Sequence, residues 1–275
     1  PTIRRGSLYI NGRRETAHLC CPRRYFSYLC PAKSNNMGKI RVPNTYVIIF
    51  AAILIAAVAT WLMTEPRNSE TLIKSLQLFG SLYPYAGYGR NFFNWLRDPK
   101  PQPYYSWGNG SAMRVSPCAW IAKSLGEAET LAKKSAEVTH NHPEGIKGAQ
   151  AVAAAIYMAR KGASKKEISD YITATYDYDL TRTISEIKSM GYKFDVSCDG
   201  SVPEAIIAFL ESNDFEEAIR LAIYLGGDAD TQAAIAGSIA EAYYGIPQEL
   251  VDKVKPLLNN TLIQTIEHFN NYCNE

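Results

Sequence analysis

An all-α fold is what this sequence predicts, on three observations. From Glu70 to the end of the chain, apolar residues return at three- and four-residue spacing, the period of a helix with one buried face. The segments so defined open on Ser, Thr, Asp or Pro and close on Gly or Pro, residues that start and stop helices for definite physical reasons. No run of alternating apolar and polar residues breaks the series. With 275 residues, 47% hydrophobic and 20% charged, the chain can bury a substantial core as one large domain or a domain with an appendage.

Residues 1–46 mix Arg pairs, Cys, Pro and aromatics with neither helical nor strand period. Residues 1–41 carry nine Lys/Arg against the single acid Glu15, a net +8 that leaves −6 on the remainder. A basic arm on an acidic body fits nucleic acid, anionic lipid, or a segment foreign to the fold, while the acidic body argues against a general nucleic-acid binder. The six cysteines (Cys20, Cys21, Cys30, Cys118, Cys198, Cys273) show no zinc-type pairing and read as reduced thiols of a cytoplasmic protein. The first residue is Pro rather than Met, which fits an incomplete reading frame or a processed product. Val47–Met63 is uncharged throughout. It stands equally as a signal anchor behind Lys39 and Arg41, slightly short of the about 20 residues that span a bilayer, or as a helix buried in a helical core.

Beyond it, "SETLIKSLQLFGSLYP" has apolar residues at 72, 73, 76, 78 and 79 and stops at Pro84. A loop-rich stretch follows around a short aromatic helix. "AMRVSPCAWIAKSL" reads as a helix capped by Ser111, whose hydroxyl can accept from the free amides of a first turn. "SLGEAETLAKKSAEVTH" and "PEGIKGAQAVAAAIYMARKG" are the next two helices, the second opening on Pro143 and closing at Gly162. "SKKEISDYITATY", "LTRTISEIKSMG" and "SVPEAIIAFLES" add three more, and "DFEEAIRLAIYLGG" leads into an acidic pair that "DTQAAIAGSIAEAYYG" leaves. "PQELVDKVKPLL" and "NTLIQTIEHFNNY" close the chain.

The acidic pair, Asp228 and Asp230, flanks one alanine behind Gly226 and Gly227. Glycines allow a sharp turn there, and the helix N-terminus beyond favours ionised carboxylates. Two carboxylates with the Thr231 hydroxyl form an all-oxygen set suited to Mg²⁺, Mn²⁺ or Ca²⁺. Taken alone, the pattern also fits an Asp228 that merely caps the helix while Asp230 decorates its first turn.

"GGDADTQAAIAGSIAEAYYG" resembles the carboxy-terminal metal motif of the ADP-ribosylglycohydrolase family. "GNGSAMRVSP" (108–117), "SAEVTHNHPEGIKGAQAVAAAI" (135–156) and "CDGSVPEAIIAFLES" (198–212) match further family segments in the right order, so the resemblance covers roughly residues 70–250. It implies a compact helical domain, 55–275 here, that uses two Mg²⁺ ions, or Mn²⁺, to hydrolyse the bond between ADP-ribose and a modified side chain or small molecule. By the same resemblance Asp228, Asp230 and Thr231 are metal ligands, with the two acids at the catalytic centre. Gly108, Asn109, Gly110 and Ser111 would offer donors to phosphate or ribose oxygens, and His140 would contact the ribose side. His142, before a proline, fits a surface residue equally well, and outside the family context "GNGS" is a turn with an N-cap.

The family's amino-terminal half of the metal site, Gly-Asp followed by Thr-Asp-Asp-Thr, is missing. "IIFAA" (48–52) stands where those acids belong, and no Asp or Glu occurs between Glu15 and Glu65. Too few oxygens remain for two ions, so a metal count below two is expected. The codons of "FAAILI" (50–55), read two bases later, permit Cys-Arg-Tyr-Thr-Asp, so an out-of-frame translation of residues 1–54 explains both the basic arm and the lost ligands. Three rivals to an unanchored hydrolase remain: an ADP-ribose-binding pseudoenzyme, a hydrolase anchored in a membrane through Val47–Met63, and a helical core with a purely structural role. The sequence sets no oligomeric state.

Overall fold

The computed structural model of the protein describes residues 45–274. The basic arm, with Cys20, Cys21 and Cys30, lies outside them. Fourteen α-helices are present among the described residues, and the one strand-like feature there is an isolated bridge between Gly108 and Ser197. The all-α expectation holds.

Helix α1 spans Thr45–Leu62, so it runs through the boundary expected at residue 54. Ile53, Ala56, Ala57, Val58, Trp61 and Leu62 are buried, and the Trp61 indole donates to the Asn68 carbonyl at 3.1 Å. The helix packs on α2 (Ser69–Leu82), α5 (Ser116–Ile121), α12 (Ala229–Tyr244) and α14 (Asn260–Asn274). This corrects the membrane-span alternative for residues 53–62: their apolar surface faces other helices of the domain. Among the described residues no helix is long and apolar enough to cross a membrane.

At the centre lies α7 (Pro143–Arg160), in contact with α4 (Gly110–Met113), α5, α6 (Leu125–Glu137), α8 (Lys165–Tyr176), α10 (Cys198–Glu211) and α12. Its composition explains how one helix meets so many. Ala149, Ala151–Ala155 and Ile156 are fully buried, with Val152 among them, and a methyl group on Gly148 would meet Cys198 Sγ. Small side chains let neighbouring backbones approach closely, and the resulting contacts stabilise by close packing rather than by large single burials.

Local signals set most helix starts. Ser124, Ser164 and Asp214 accept from the amide three residues on and open α6, α8 and α11 (Phe215–Leu225). Gly226 closes α11 at φ 79°, a left-handed conformation that favours glycine. The remaining helices are α3 (Arg90–Arg97), α9 (Ile184–Ser189) and α13 (Gln248–Val254), the last followed by a 3₁₀ turn. One expected helix is broken. Residues 112–125 form the end of α4, a turn at Arg114–Val115, and α5. Ser111 caps neither piece; it lies inside α4, fully buried, with its hydroxyl donating to the Gly145 carbonyl of α7 at 2.7 Å. A tertiary acceptor outcompetes the local cap.

Candidate functional site

The loop before α4 is held on two sides. Asn109 donates its amide to Val196 O at 2.8 Å, and Cys198 donates its amide to Trp107 O at 3.0 Å, so residues 107–109 are tied to the segment that enters α10. The Gly108 amide donates to Ser106 Oγ at 3.2 Å. Gly110 then opens α4, where a first turn leaves amides without intrahelical partners.

The Asn109 side chain is the hinge between this loop and the acidic pair. Its Nδ2 donates to Asp228 Oδ2 at 2.8 Å and to Ser201 Oγ at 3.1 Å. Asp228 occupies the N-cap position of α12, but its side chain makes no capping bond. The reading of Asp228 as a mere helix cap therefore fails: its carboxylate accepts from Asn109 of the loop instead. Burial pushes the Asp228 carboxyl up to about 7, and Asp230, within hydrogen-bond reach, pushes the same way, while donors on Asn109 and Thr231 oppose both. Two half-buried acids in this state are a strained pair that a cation would relieve. Thr231, buried in the first turn, reaches Met113 Sδ at 3.5 Å and so joins α12 to α4.

The turn into these acids needs its second glycine for space. A methyl on Gly227 would lie 2.5 Å from the Tyr192 ring and 2.9 Å from Gln232 Oε1. Tyr192 donates to Gly200 O at 2.7 Å and accepts from Gln232 Nε2 at 2.9 Å, which fastens the loop before α10 to α12.

His140 borders the loop from the other side. It is 7% exposed, and a methyl on Gly110 or Gly108 would stand 3.3 or 3.6 Å from its Nε2. Burial, with the Arg114 charge as the smaller cause, holds the imidazole well below the usual His range, so the ring is neutral. His142 is the N-cap of α7, its Nδ1 accepting from the Glu144 amide at 3.1 Å, with the Tyr105 ring edge-on at 4.7 Å. That is a structural role.

The structure thus gathers Gly108, Asn109, Gly110, His140, Asp228, Asp230 and Thr231 around one loop, with Ser111 directly beneath it. Sequence reading missed five contributors. Ser201 shares Asn109 with Asp228, Tyr192 and Gln232 brace the acidic turn, and Arg114 with Thr139 lies behind His140. Only Arg114 left a signal, as a lone cation in an otherwise apolar helical stretch.

The residues present suit a hard divalent cation: two carboxylates and a hydroxyl at one helix start, with a carboxyl already destabilised by its neighbour. Mg²⁺ is ordinarily held by one or two carboxylates plus water. The donors are too few for two ions, since among the described residues no group of three or more His, Cys, Asp or Glu side chains converges.

An acidic pair at the start of α12 thus faces a glycine-bearing loop inside an all-helical domain. Comparison with known proteins makes the assignment narrower. The chain belongs to the ADP-ribosylglycohydrolase family, whose model matches residues 46–274. It is 34% identical over 161 residues to the ADP-ribosylarginine hydrolase Tri1 of Pseudomonas putida (strain GB-1), covering 54% of this chain and 42% of that protein. It is 28% identical over 269 residues to the ADP-ribosylhydrolase ARH3 of Mus musculus, covering 77% and 73%. With 42% of Tri1 and 53% of an uncharacterized protein of Archaeoglobus fulgidus covered, the chain spans about half the length of such curated relatives. A solved ADP-ribosylglycohydrolase-related protein complex aligns with a TM-score of 0.55 at 24% identity over 77% of this chain and 78% of that one, a likeness of fold.

Proposed function

We propose that the protein hydrolyses the glycosidic bond between ADP-ribose and a modified side chain or a small molecule, where the Gly108–Gly110 loop meets the start of α12. The observation that carries this reading is the Asn109–Asp228 contact: it puts the acidic pair against the loop in the arrangement a ribose bound beside a phosphate would need. Cleavage at the anomeric carbon builds positive charge on the sugar and requires a positioned water. Asp228 and Asp230 supply negative charge beside that carbon, and Asn109 fixes the orientation of Asp228. His140 and the first turn of α4 face the ligand's oxygens. Asp228, Asp230 and Thr231 would hold Mg²⁺, or Mn²⁺ in its place; when bound, such an ion orients ribose hydroxyls and acidifies water.

The test is release of ADP-ribose by the full chain in Mg²⁺ from a panel of linkages, headed by the arginine linkage that Tri1's name specifies, with serine-linked peptides beside it. Release from any member that is lost on Asp230→Asn supports the reading. ADP-ribose binding without turnover would instead favour the pseudoenzyme, a second reading supported by the scarcity of acidic ligands among the described residues. The proposed location is the cytoplasm, supported by free thiols at Cys118, Cys198 and Cys273; retention of the chain on carbonate-washed membranes would sink it. An out-of-frame translation of residues 1–54 remains our explanation for the lost acids. Resequencing the coding DNA through Trp61 tests it, and an unchanged frame would overturn it.

A further inference from the structure

Arg114 is a buried cation without a carboxylate. It is 1% exposed, and its Nη2 donates to Ser135 O and to Thr139 Oγ1, the latter at 2.9 Å, with no ion pair among the described residues. A guanidinium can only donate, so Thr139 Oγ1 must accept from it. One proton then remains on the Thr139 hydroxyl, and two acceptors are within reach: His140 Nδ1 at 2.7 Å and Ala136 O at 3.5 Å. The shorter bond is the stronger by a wide margin, because hydrogen bonds to oxygen weaken sharply near 3.5 Å. With Nδ1 accepting, the proton of a neutral imidazole sits on Nε2, since the partner of one ring nitrogen decides the state of the other. Nε2 has no hydrogen-bond partner among the described residues and lies beside Gly108 and Gly110. The Tyr104 ring, 5.9 Å away between centroids, packs on the imidazole and limits its tilt.

We propose that Thr139, held by Arg114, is a positioning residue that fixes His140 as its Nε2–H tautomer, making the ring a hydrogen-bond donor to an acceptor oxygen bound beside the Gly108–Gly110 loop. The assignment rests on the proposed ADP-ribose reading for the identity of that oxygen, a phosphate or ribose oxygen, but not for the tautomer itself. It excludes His140 as the base that accepts a proton from water through Nε2, because that nitrogen already carries one. Burial, and to a lesser degree the cation behind the ring, keep the imidazole neutral, so the donor role does not depend on its protonation.

The test is long-range ¹H–¹⁵N spectroscopy of the full chain labelled at its four histidines, with His140→Gln identifying the signal. His140 is expected as the Nε2–H tautomer, with Thr139→Ser preserving it and Thr139→Val giving a mixture or the Nδ1–H form. In parallel, calorimetry with ADP-ribose should show roughly three- to tenfold weaker binding for Thr139→Val, the loss of one oriented hydrogen bond, and recovery in Thr139→Ser. An Nδ1–H tautomer in the unmodified chain overturns the proposal, and so does a Thr139→Val chain that folds with its His140 tautomer unchanged. Should the valine variant fail to fold, the unmodified and serine chains decide. Absence of any ADP-ribose binding to the unmodified chain, with the tautomer as expected, would overturn the functional reading while leaving the relay standing.

Discussion

Replacing Asp228 by Asn should make the metal-free protein more stable at neutral pH. Asn keeps an oxygen that can accept from Asn109 Nδ2, so the contact to the loop survives while the charge does not. The folded state holds the Asp228 proton up to about 7, against an ordinary value near 3.8, because the carboxyl is buried and faces Asp230. A group that binds its proton more tightly folded than unfolded lowers stability as pH rises through that window, here from about 4 to about 7. About three pKa units at ~1.4 kcal/mol each set an upper bound near 4 kcal/mol. With solvent reaching the pair, a gain of about 1–3 kcal/mol at pH 8 is expected for Asp228→Asn, shrinking to nothing below pH 4. Urea denaturation in EDTA, run from pH 4 to pH 8, reads this directly as a change in slope with pH. Added Mg²⁺ should then stabilise the unmodified chain and leave the variant unmoved, since only a state that binds the ion gains from it. A variant that is no more stable at pH 8, or that keeps the pH slope of the unmodified chain, would refute the argument that these acids are held together at the expense of stability.

Isothermal titration with Mg²⁺ should give at most one ion per chain, abolished in Asp230→Asn; a stoichiometry of two would show that ligands outside the described residues complete the site. Gly145→Ala should cost about 1–3 kcal/mol by denaturation, because a methyl there would lie 2.7 Å from Ser106 O and 3.0 Å from both His140 Cβ and His140 O, and backbone atoms cannot rotate away. The same variant should weaken ADP-ribose binding by shifting His140; unchanged affinity would separate that ring from the site. Trp61→Ala should cost about 3–5 kcal/mol, as expected for a fully buried aromatic, and a loss below 1 kcal/mol would mean that α1 adds little to the fold.

What the sequence made legible, and what it hid, follows from the range of each interaction. Ser124, Ser164 and Asp214 announce their helices because a cap and its amide lie three residues apart, and Gly226 announces a stop because φ 79° is a backbone requirement of one residue. The acidic pair was legible for the same reason: Gly-Gly, two acids and a threonine occupy six consecutive positions. Ser111 was misread as a cap because its acceptor, Gly145 O, is 34 residues away. The Arg114–Thr139–His140 relay was hidden because it joins the turn after α4 to the turn after α6 across 25 residues, and a cation in the sequence does not name its partner. Even the Asn109–Asp228 contact, between two residues each singled out by sequence, spans 119 positions and had to come from the fold.

The apolar run at the start of the described chain shows how composition can mislead even where it is read correctly. Val47–Met63 is apolar enough to invite a bilayer, yet from Ile53 onward its side chains are absorbed by other helices of the domain, and Trp61 finds a carbonyl partner at Asn68. Buried alanines at helix crossings and a partner for the indole N–H are what a helix in a protein core requires. The same burial sharpens the question of the missing acids. Since α1 from Ile53 onward is packed as a core helix and lies against α12, acids restored near its beginning would belong to an element that already touches the helix bearing Asp228 and Asp230. Under the proposed out-of-frame reading, ligands would be lost without loss of the scaffold, because the part of α1 from Ile53 onward keeps its place in the core.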